Sequence, residues 1–179
     1  MRLFIAVEFD SHVHEALGEI AHHVRSHAKS GKFVEKENYH LTLAFLGERD
    51  ESDIEDLKNI LDGIQANPLP LRFERIGTFD PPRPGRIYWV GIEPNRNLTN
   101  LHKQLVSDLE DAGYELDRKP FRPHVTLARR VHVPDTQRQR ISEQFTPFST
   151  IVKRISLMES QRGEKGPIYK ALHTKRLEG

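Results

Sequence analysis

Cysteine is absent from the 179-residue chain, which excludes a disulfide framework, cysteine-based zinc sites and thiol catalysis. Net charge is almost absent as well. Lys+Arg 27 against Asp+Glu 26 leaves a formal charge of +1, so no global field draws the protein to nucleic acid and any anion site is local. No apolar run approaches the ~18 residues of a membrane-spanning helix. The opening segment Met1–Glu8 lacks a signal peptide's longer apolar core and small-residue cleavage site. The expectation is a soluble, cytoplasmic protein without membrane contact. Hydrophobic residues at 36% and charged residues at 30% suit a globular domain, or two small lobes sharing a core.

What the chain does have, twice, is the pattern His-x-Thr-Leu-Ala. It occurs at His40-Leu41-Thr42-Leu43-Ala44 and again at His124-Val125-Thr126-Leu127-Ala128. Each copy lies in a short alternating apolar run bounded by turn or breaker residues, which is a strand signature. Side chains i and i+2 of a strand share a face. His40 and Thr42 therefore point one way and Leu41, Leu43 and Phe45 the other. His124 and Thr126 are likewise set against Val125 and Leu127.

The flanking elements repeat too. Apolar residues Val13, Ala16, Leu17, Ile20, Ala21 and Val24 predict a helix opening near Asp10-Ser11 and over by Gly31. Ser52-Asp53-Ile54-Glu55 reads as a capping box before a second helix. A strand within Pro68–Phe79 leads to a rigid turn or linker, Asp80-Pro81-Pro82-Arg83-Pro84-Gly85. The second half offers a strand from Arg86, a helix capped by Asn97 and stopped by Gly113, the His124 strand and a weaker helix near Thr136–Phe145. A strand over Phe148–Met158, a polar loop at Gln161–Pro167 and a strand at Ile168–His173 complete it. His40 and His124 are 84 residues apart, as are Arg2 and Arg86, while Pro68 and Pro147 are 79 apart. One duplicated unit explains these shifts, with five residues lost between. The expected organisation is a single domain over 1–179, made of two pseudo-symmetric lobes, roughly 1–84 and 85–179.

Two histidines and two threonines meeting in one groove suit a phosphodiester. Near pH 7 one imidazole can be neutral and the other protonated. One takes a proton from a nucleophile while the other gives a proton to the leaving oxygen. Thr42 and Thr126 can donate hydrogen bonds to non-bridging phosphate oxygens between them. Acid–base catalysis contributes about 10²–10⁴-fold, which suits a strained five-membered 2′,3′-cyclic phosphate better than an unstrained diester. No metal or cofactor is required.

At these residues the sequence resembles the 2H phosphoesterase superfamily, named for its two H-x-[ST]-x motifs, and within it the RNA 2′,3′-cyclic phosphodiesterases, also described as 2′-5′ RNA ligases. The resemblance rests on Arg2-Leu3-Phe4-Ile5-Ala6, His40 to Gly47 and Phe121 to Arg129, and extends over nearly the whole chain. It implies an α+β bilobal fold, with antiparallel sheets lining a central cleft and helices outside. It implies that His40 is the proton donor to the leaving 3′-oxygen, that His124 is the proton acceptor activating water, and that Thr42 and Thr126 bind phosphate. The product would be a 2′-phosphate on RNA, from tRNA-like or oligonucleotide ends, and the reverse reaction would join RNA ends 2′-5′. Competing readings are a phosphodiesterase of 2′-5′ oligonucleotides or small cyclic nucleotides, and a non-catalytic RNA-binding module. Nothing calls for an obligate protein partner.

Further RNA contacts are expected among Arg122, Arg129, Phe45, Tyr39, Phe121 and Tyr169. Arg118, Lys119, Arg122, Arg129 and Arg130 form a basic stretch around the second motif, against Asp117. By strict alternation Arg129 falls on the face of Val125 and Leu127, and reaches the site only if the strand ends or bulges after Ala128. Tyr39, Phe121 and Tyr169 could stack on bases at the cleft rim. Trp89, Tyr88 and Phe45 are most simply core residues. His23 and His27 have i, i+4 spacing on the first helix, but no local carboxylate completes a metal set, so an exposed polar face is expected.

Overall fold

Alternation starts at the first strand. In β1 (Arg2–Val7) the side chains of Leu3, Ile5 and Val7 enter the main core, while Phe4 and Ala6 form a second small cluster with Met158 on the other face. The computed structural model describes residues 1–81 and 84–178. Pro82 and Arg83 of the expected rigid turn lie outside the described residues.

Helix α1 (Ser11–His27) buries Val13, Leu17, Ala21 and Val24, the stripe expected from its periodicity. Gly31 belongs to β2 (Ser30–Phe33), a strand with no signal in its four residues Ser-Gly-Lys-Phe. A single 3₁₀ turn, Lys36–Asn38, then leads into β3 (Leu41–Glu48). The expected capping box does not form. Helix α2 (Ile54–Asp62) follows a 3₁₀ turn at Glu51–Asp53, and its N-cap is Asp53, with no side-chain cap bond. The next elements are β4 (Leu69–Phe79), β5 (Arg86–Ile92) and α3 (Arg96–Asp111). The N-cap of α3 is Asn95 rather than Asn97; its side-chain oxygen accepts from the Leu98 N–H at 3.0 Å. Gly113, at φ +94°, takes the left-handed conformation that ends a helix.

β6 (His124–His132) and α4 (Asp135–Gln144) follow. The strand expected over Phe148–Met158 is broken at Lys153 into β7 (Phe148–Val152) and β8 (Arg154–Gly163). The expected polar loop at Gln161–Pro167 is largely hairpin instead. β9 (Gly166–Arg176) pairs back along β8, matching Gln161 with Ile168 and Arg162 with Pro167. No described helix is long and apolar enough to cross a membrane.

The strands form two antiparallel sheets, ordered β3-β1-β8-β9 and β2-β6-β5-β4-β7. Each draws on both halves of the sequence: β4 sits between β5 and β7, and β8 between β1 and β9. The β4–β7 pairing places Leu71 opposite Thr150, with Leu69 opposite Val152 and Phe73 opposite Phe148. Leu71 and Thr150 are 79 positions apart, the shift found in the sequence, so the local two-fold axis passes between them. The gapless match of Arg2-Leu3-Phe4 to Arg86-Ile87-Tyr88 does not hold in space. Val7 pairs with Leu41 and Val90 with Val125. The motif strands are thus 84 residues apart and their neighbours 83. That single step puts Tyr88 in the core, 3% exposed, and turns Trp89 to the face of Thr126, which it pairs.

Candidate active site

β3 and β6 carry the two motifs, and a β-bulge recurs at the same place in each. Ile5 pairs with Ala44 and Ala6 with Thr42, leaving Leu43 as the extra residue. Tyr88 pairs with Ala128 and Trp89 with Thr126, leaving Leu127 extra. A bulge inverts the alternation beyond it. Leu43 and Ala44 are both buried, as are Leu127 and Ala128, and the fifth residue after each histidine then emerges on the histidine's own face. In the first strand that residue is Phe45, in the second Arg129. Phe45 is therefore not a core residue. It is 64% exposed and lies 6.3 Å, centroid to centroid, from Phe4. Arg129 is exposed, and its charge acts on His40, His124 and Tyr169 alike.

Both histidines are held in the same way. His40 Nδ1 lies 2.7 Å from the carbonyl of Asn38, and His124 Nδ1 lies 2.5 Å from the carbonyl of Arg122. A carbonyl only accepts, so each Nδ1 carries a proton, and Nε2 is the nitrogen left for chemistry. His40 Nε2 meets the Thr42 hydroxyl at 2.9 Å. Thr126 and Thr42 are both half-buried beside their histidines.

Aromatic rings wall each imidazole. Phe4 and Tyr169 both lie 5.0 Å from the His40 ring, Tyr169 at 90° to it. Phe79 lies 5.2 Å from His124 at 89°, and Trp89 lies 6.2 Å away at 60°. Trp89 is only 8% exposed, but it belongs to this wall rather than to the main core. Arg75 lies over its ring at 5.4 Å, and its buried indole N–H has no hydrogen-bond partner among the described residues.

Burial dominates the electrostatics. It pushes His40 below the ordinary histidine value. The Asn38 carbonyl opposes that shift, while the charges of Arg129 and His124 add to it. Burial also lowers His124, again opposed by a carbonyl, that of Arg122, and reinforced by Arg129. The charge of Arg129 thus reaches both imidazoles, an arrangement suited to an anion and to two-site proton transfer.

Other candidates are placed elsewhere. Tyr39 is 4% exposed and stacks with His14 at 6.1 Å, so it is a core residue and not part of a cleft rim. Burial raises its hydroxyl to about 12. Phe121 has one face covered by His102, with centroids 3.8 Å apart and planes 1° from parallel. Tyr169 stands beside His40, and Arg122 is exposed while its carbonyl orients His124. Arg118, Lys119 and Arg130 are solvated, Lys119 pairing with Asp117 at 3.7 Å. On α1, the His27 ring meets Gln137 at 3.0 Å and Gln144 at 3.3 Å. Sequence reasoning does not single out the wall residues Phe4, Phe79, Trp89 and Arg75 as part of a site. Strand alternation carries that signal only once the bulges and the one-residue step are known.

Known proteins similar to this chain match it in sequence and in fold. The family description that matches, over residues 9–164, is that of the 2′-5′ RNA ligase superfamily. An RNA 2′,3′-cyclic phosphodiesterase of Thermotoga maritima is 31% identical over 182 residues, spanning 100% of this chain and 97% of its own. One from Archaeoglobus fulgidus is 34% identical over 176 residues, spanning 96% of this chain and 98% of its own. Among solved structures, TT0787 of Thermus thermophilus superposes with a TM-score of 0.82 at 29% identity, over 100% of this chain and 99% of that one. Escherichia coli LigT complexed with 3′-AMP gives a TM-score of 0.80 at 27% identity, over 98% of this chain and 97% of that one. With its duplicated His-x-Thr strands, its α+β fold of two antiparallel sheets and this match along most of its length, the chain belongs to the 2′-5′ RNA ligase superfamily, the 2H phosphoesterases.

Proposed function

We propose that the protein hydrolyses terminal 2′,3′-cyclic phosphates of RNA to 2′-phosphates, with His40 and His124 as its acid–base pair. The observation that carries this reading is the matched pair of imidazoles. Each is tied by Nδ1–H to the carbonyl two residues before it, so that both present Nε2 for chemistry. The full-length relatives named RNA 2′,3′-cyclic phosphodiesterase support the substrate class.

Water attacks phosphorus in line with the 3′-oxygen. His124 Nε2 takes the water's proton as the new P–O bond forms. The P–O3′ bond breaks, and the 3′-oxygen takes a proton from His40 Nε2. The products are a 2′-phosphomonoester and a free 3′-hydroxyl, and a proton must pass from His124 back to His40 before the next turnover. The assignment of donor to His40 and acceptor to His124 follows the family resemblance, since the two sites are bound alike. Thr42 and Thr126 donate to the non-bridging oxygens, and Arg129 balances the charge that grows on them. Phe45 and Tyr169, beside His40, offer ring faces or edges to a base. If the 5′-hydroxyl of a second RNA replaces water, the same proton transfers produce a 2′-5′ linkage. The whole chain is the active unit in this reading, because each half lends two strands to the other half's sheet.

The test is turnover of an oligoribonucleotide ending in a 2′,3′-cyclic phosphate, assayed in excess chelator. The wild-type protein should open the ring, and His40→Ala and His124→Ala should each lose about 10²–10⁴-fold while remaining folded. Full activity in both variants would refute the mechanism. Hydrolysis confined to 2′-5′ oligonucleotides or to small cyclic nucleotides would move the substrate.

A further inference from the structure

β4 carries a bulge of its own. Phe73 pairs with Ile92 and Arg75 with Gly91, leaving Glu74 extra. Phe73 and Ile92 are buried in the main core. Strict alternation would send Arg75 to the side of Phe73, and the bulge turns it to the opposite face instead. His124 occupies that same face, because Gly91 pairs with Arg75 in one direction and with His124 in the other. Arg75, Gly91 and His124 thus form one row across the adjacent strands β4, β5 and β6, and its middle position has no side chain.

The next row is Gly77, Trp89 and Thr126. The Trp89 indole fills the room that both glycines leave: a Cβ on Gly77 would come within 2.4 Å of it, and one on Gly91 within 2.9 Å. Two groups lean on this ring. His124 lies 6.2 Å from it, and the Arg75 guanidinium stands over it at 5.4 Å. Arg75 nevertheless stays open to a ligand. Its side chain is 65% exposed, and it meets its neighbour Glu74 at 3.6 Å. An exposed ion pair of that kind contributes little, whereas a guanidinium can hold a phosphate through two parallel N–H···O bonds. Arg129 is the cation whose charge acts on both motif histidines. Arg75 lies farther along the same face, two strand spacings or roughly 10 Å from His124.

We propose that Arg75, docked on Trp89, is a specificity-determining residue: it binds the phosphodiester on the 5′ side of the terminal nucleotide while the cyclic phosphate lies against His124. An RNA end then has two anchored phosphates, and a mononucleoside 2′,3′-cyclic phosphate only one. The proposal rests on the cyclic-phosphate reading of the site.

The experiment measures kcat and KM of wild type, Arg75→Gln and Arg75→Lys on three substrates. These are a dinucleotide ending in a 2′,3′-cyclic phosphate, the same dinucleotide with an uncharged methylphosphonate as its internal linkage, and a nucleoside 2′,3′-cyclic phosphate. Wild type should prefer the charged dinucleotide to its methylphosphonate form by about 10-fold in kcat/KM, mostly through KM. Arg75→Gln should cut that preference to about 2-fold or less, and Arg75→Lys should keep part of it. The advantage of the charged dinucleotide over the nucleoside substrate should shrink by the same factor in Arg75→Gln. On the charged dinucleotide, the slope of log kcat/KM against log salt should become shallower by about 0.7 in that variant. A purely structural role would lower all three substrates alike and leave the preference in place, which would overturn the proposal. A wild-type protein that turns over both dinucleotides equally well would overturn it too. Inactivity of the wild type on all three substrates would instead overturn the functional reading, and the proposal with it.

Discussion

Phe45 and Arg129 occupy the same place in the two halves, five residues after His40 and His124, and a bulge in each strand turns both onto the histidine face. The duplication is thus symmetric in its His-x-Thr pairs and asymmetric just beyond them. One side of the cleft gains an exposed ring, the other a fixed positive charge.

That asymmetry separates two effects. Phe45→Ala should raise KM for a cyclic-ended oligoribonucleotide by about 10-fold, within the ~1–3 kcal/mol of base–aromatic stacking. It should leave kcat on a mononucleoside 2′,3′-cyclic phosphate within about 2-fold of wild type. Steady-state kinetics on both substrates checks this, and equal losses on the two would exclude a stacking role.

Arg129 should govern the pH profile. It lowers both motif histidines, on top of the larger effect of burial. The bell-shaped kcat/KM profile of the free enzyme should therefore centre below about pH 6.5, the ordinary histidine value. Arg129→Gln should move both limbs to higher pH while lowering the maximum. An unmoved profile would show that the guanidinium does not face the pair.

Stability should carry the opposite sign of pH dependence from a salt-bridged histidine. His40, His102 and His124 all have folded-state values below the unfolded one, chiefly through burial. The unfolded chain then binds more protons as the pH falls below about 6.5, and the folded state loses stability on acidification. Each such proton contributes a slope of at most about 1.4 kcal/mol per pH unit. Melting temperature measured from about pH 7.5 to 5 should fall, and His40→Asn/His124→Asn should flatten the curve. A steeper fall in the double variant would contradict the account.

The single tryptophan reports on the site. Trp89 lies 6.2 Å from His124 and directly over Gly77 and Gly91, where a Cβ on Gly77 would overlap the indole and one on Gly91 would come within 2.9 Å of it. Indole emission should follow the titration of His124 and respond to inorganic phosphate, and His124→Ala should abolish the titration. Gly77→Ala should destabilise the fold by about 1–3 kcal/mol through overpacking, and should displace the emission maximum.

Much of this is legible in the sequence. The two His-x-Thr-Leu-Ala copies, their 84-residue spacing and the helical stripe of α1 specify two equivalent strands supported by helices. Alternation alone misplaces Phe45 and Trp89, because a bulge and a one-residue step each reverse which face a side chain takes. Alternation ties Arg129 to a bulge, and the bulge is there, one residue earlier than that condition sets. β2 escapes notice because four residues without apolar alternation become a strand only by pairing with β6. Tyr39 and Phe121 look available for stacking, but their partners His14 and His102 come from helices remote in sequence.

The position of the phosphate in the product tests the central claim most directly. A cyclic-phosphate-ended oligoribonucleotide is turned over to completion, and the product is resolved by phosphorus NMR. With His40 protonating the 3′-oxygen as it leaves, the account predicts a 2′-phosphate alone. A 3′-phosphate would contradict it, because the bond to the 2′-oxygen would then be the one that breaks.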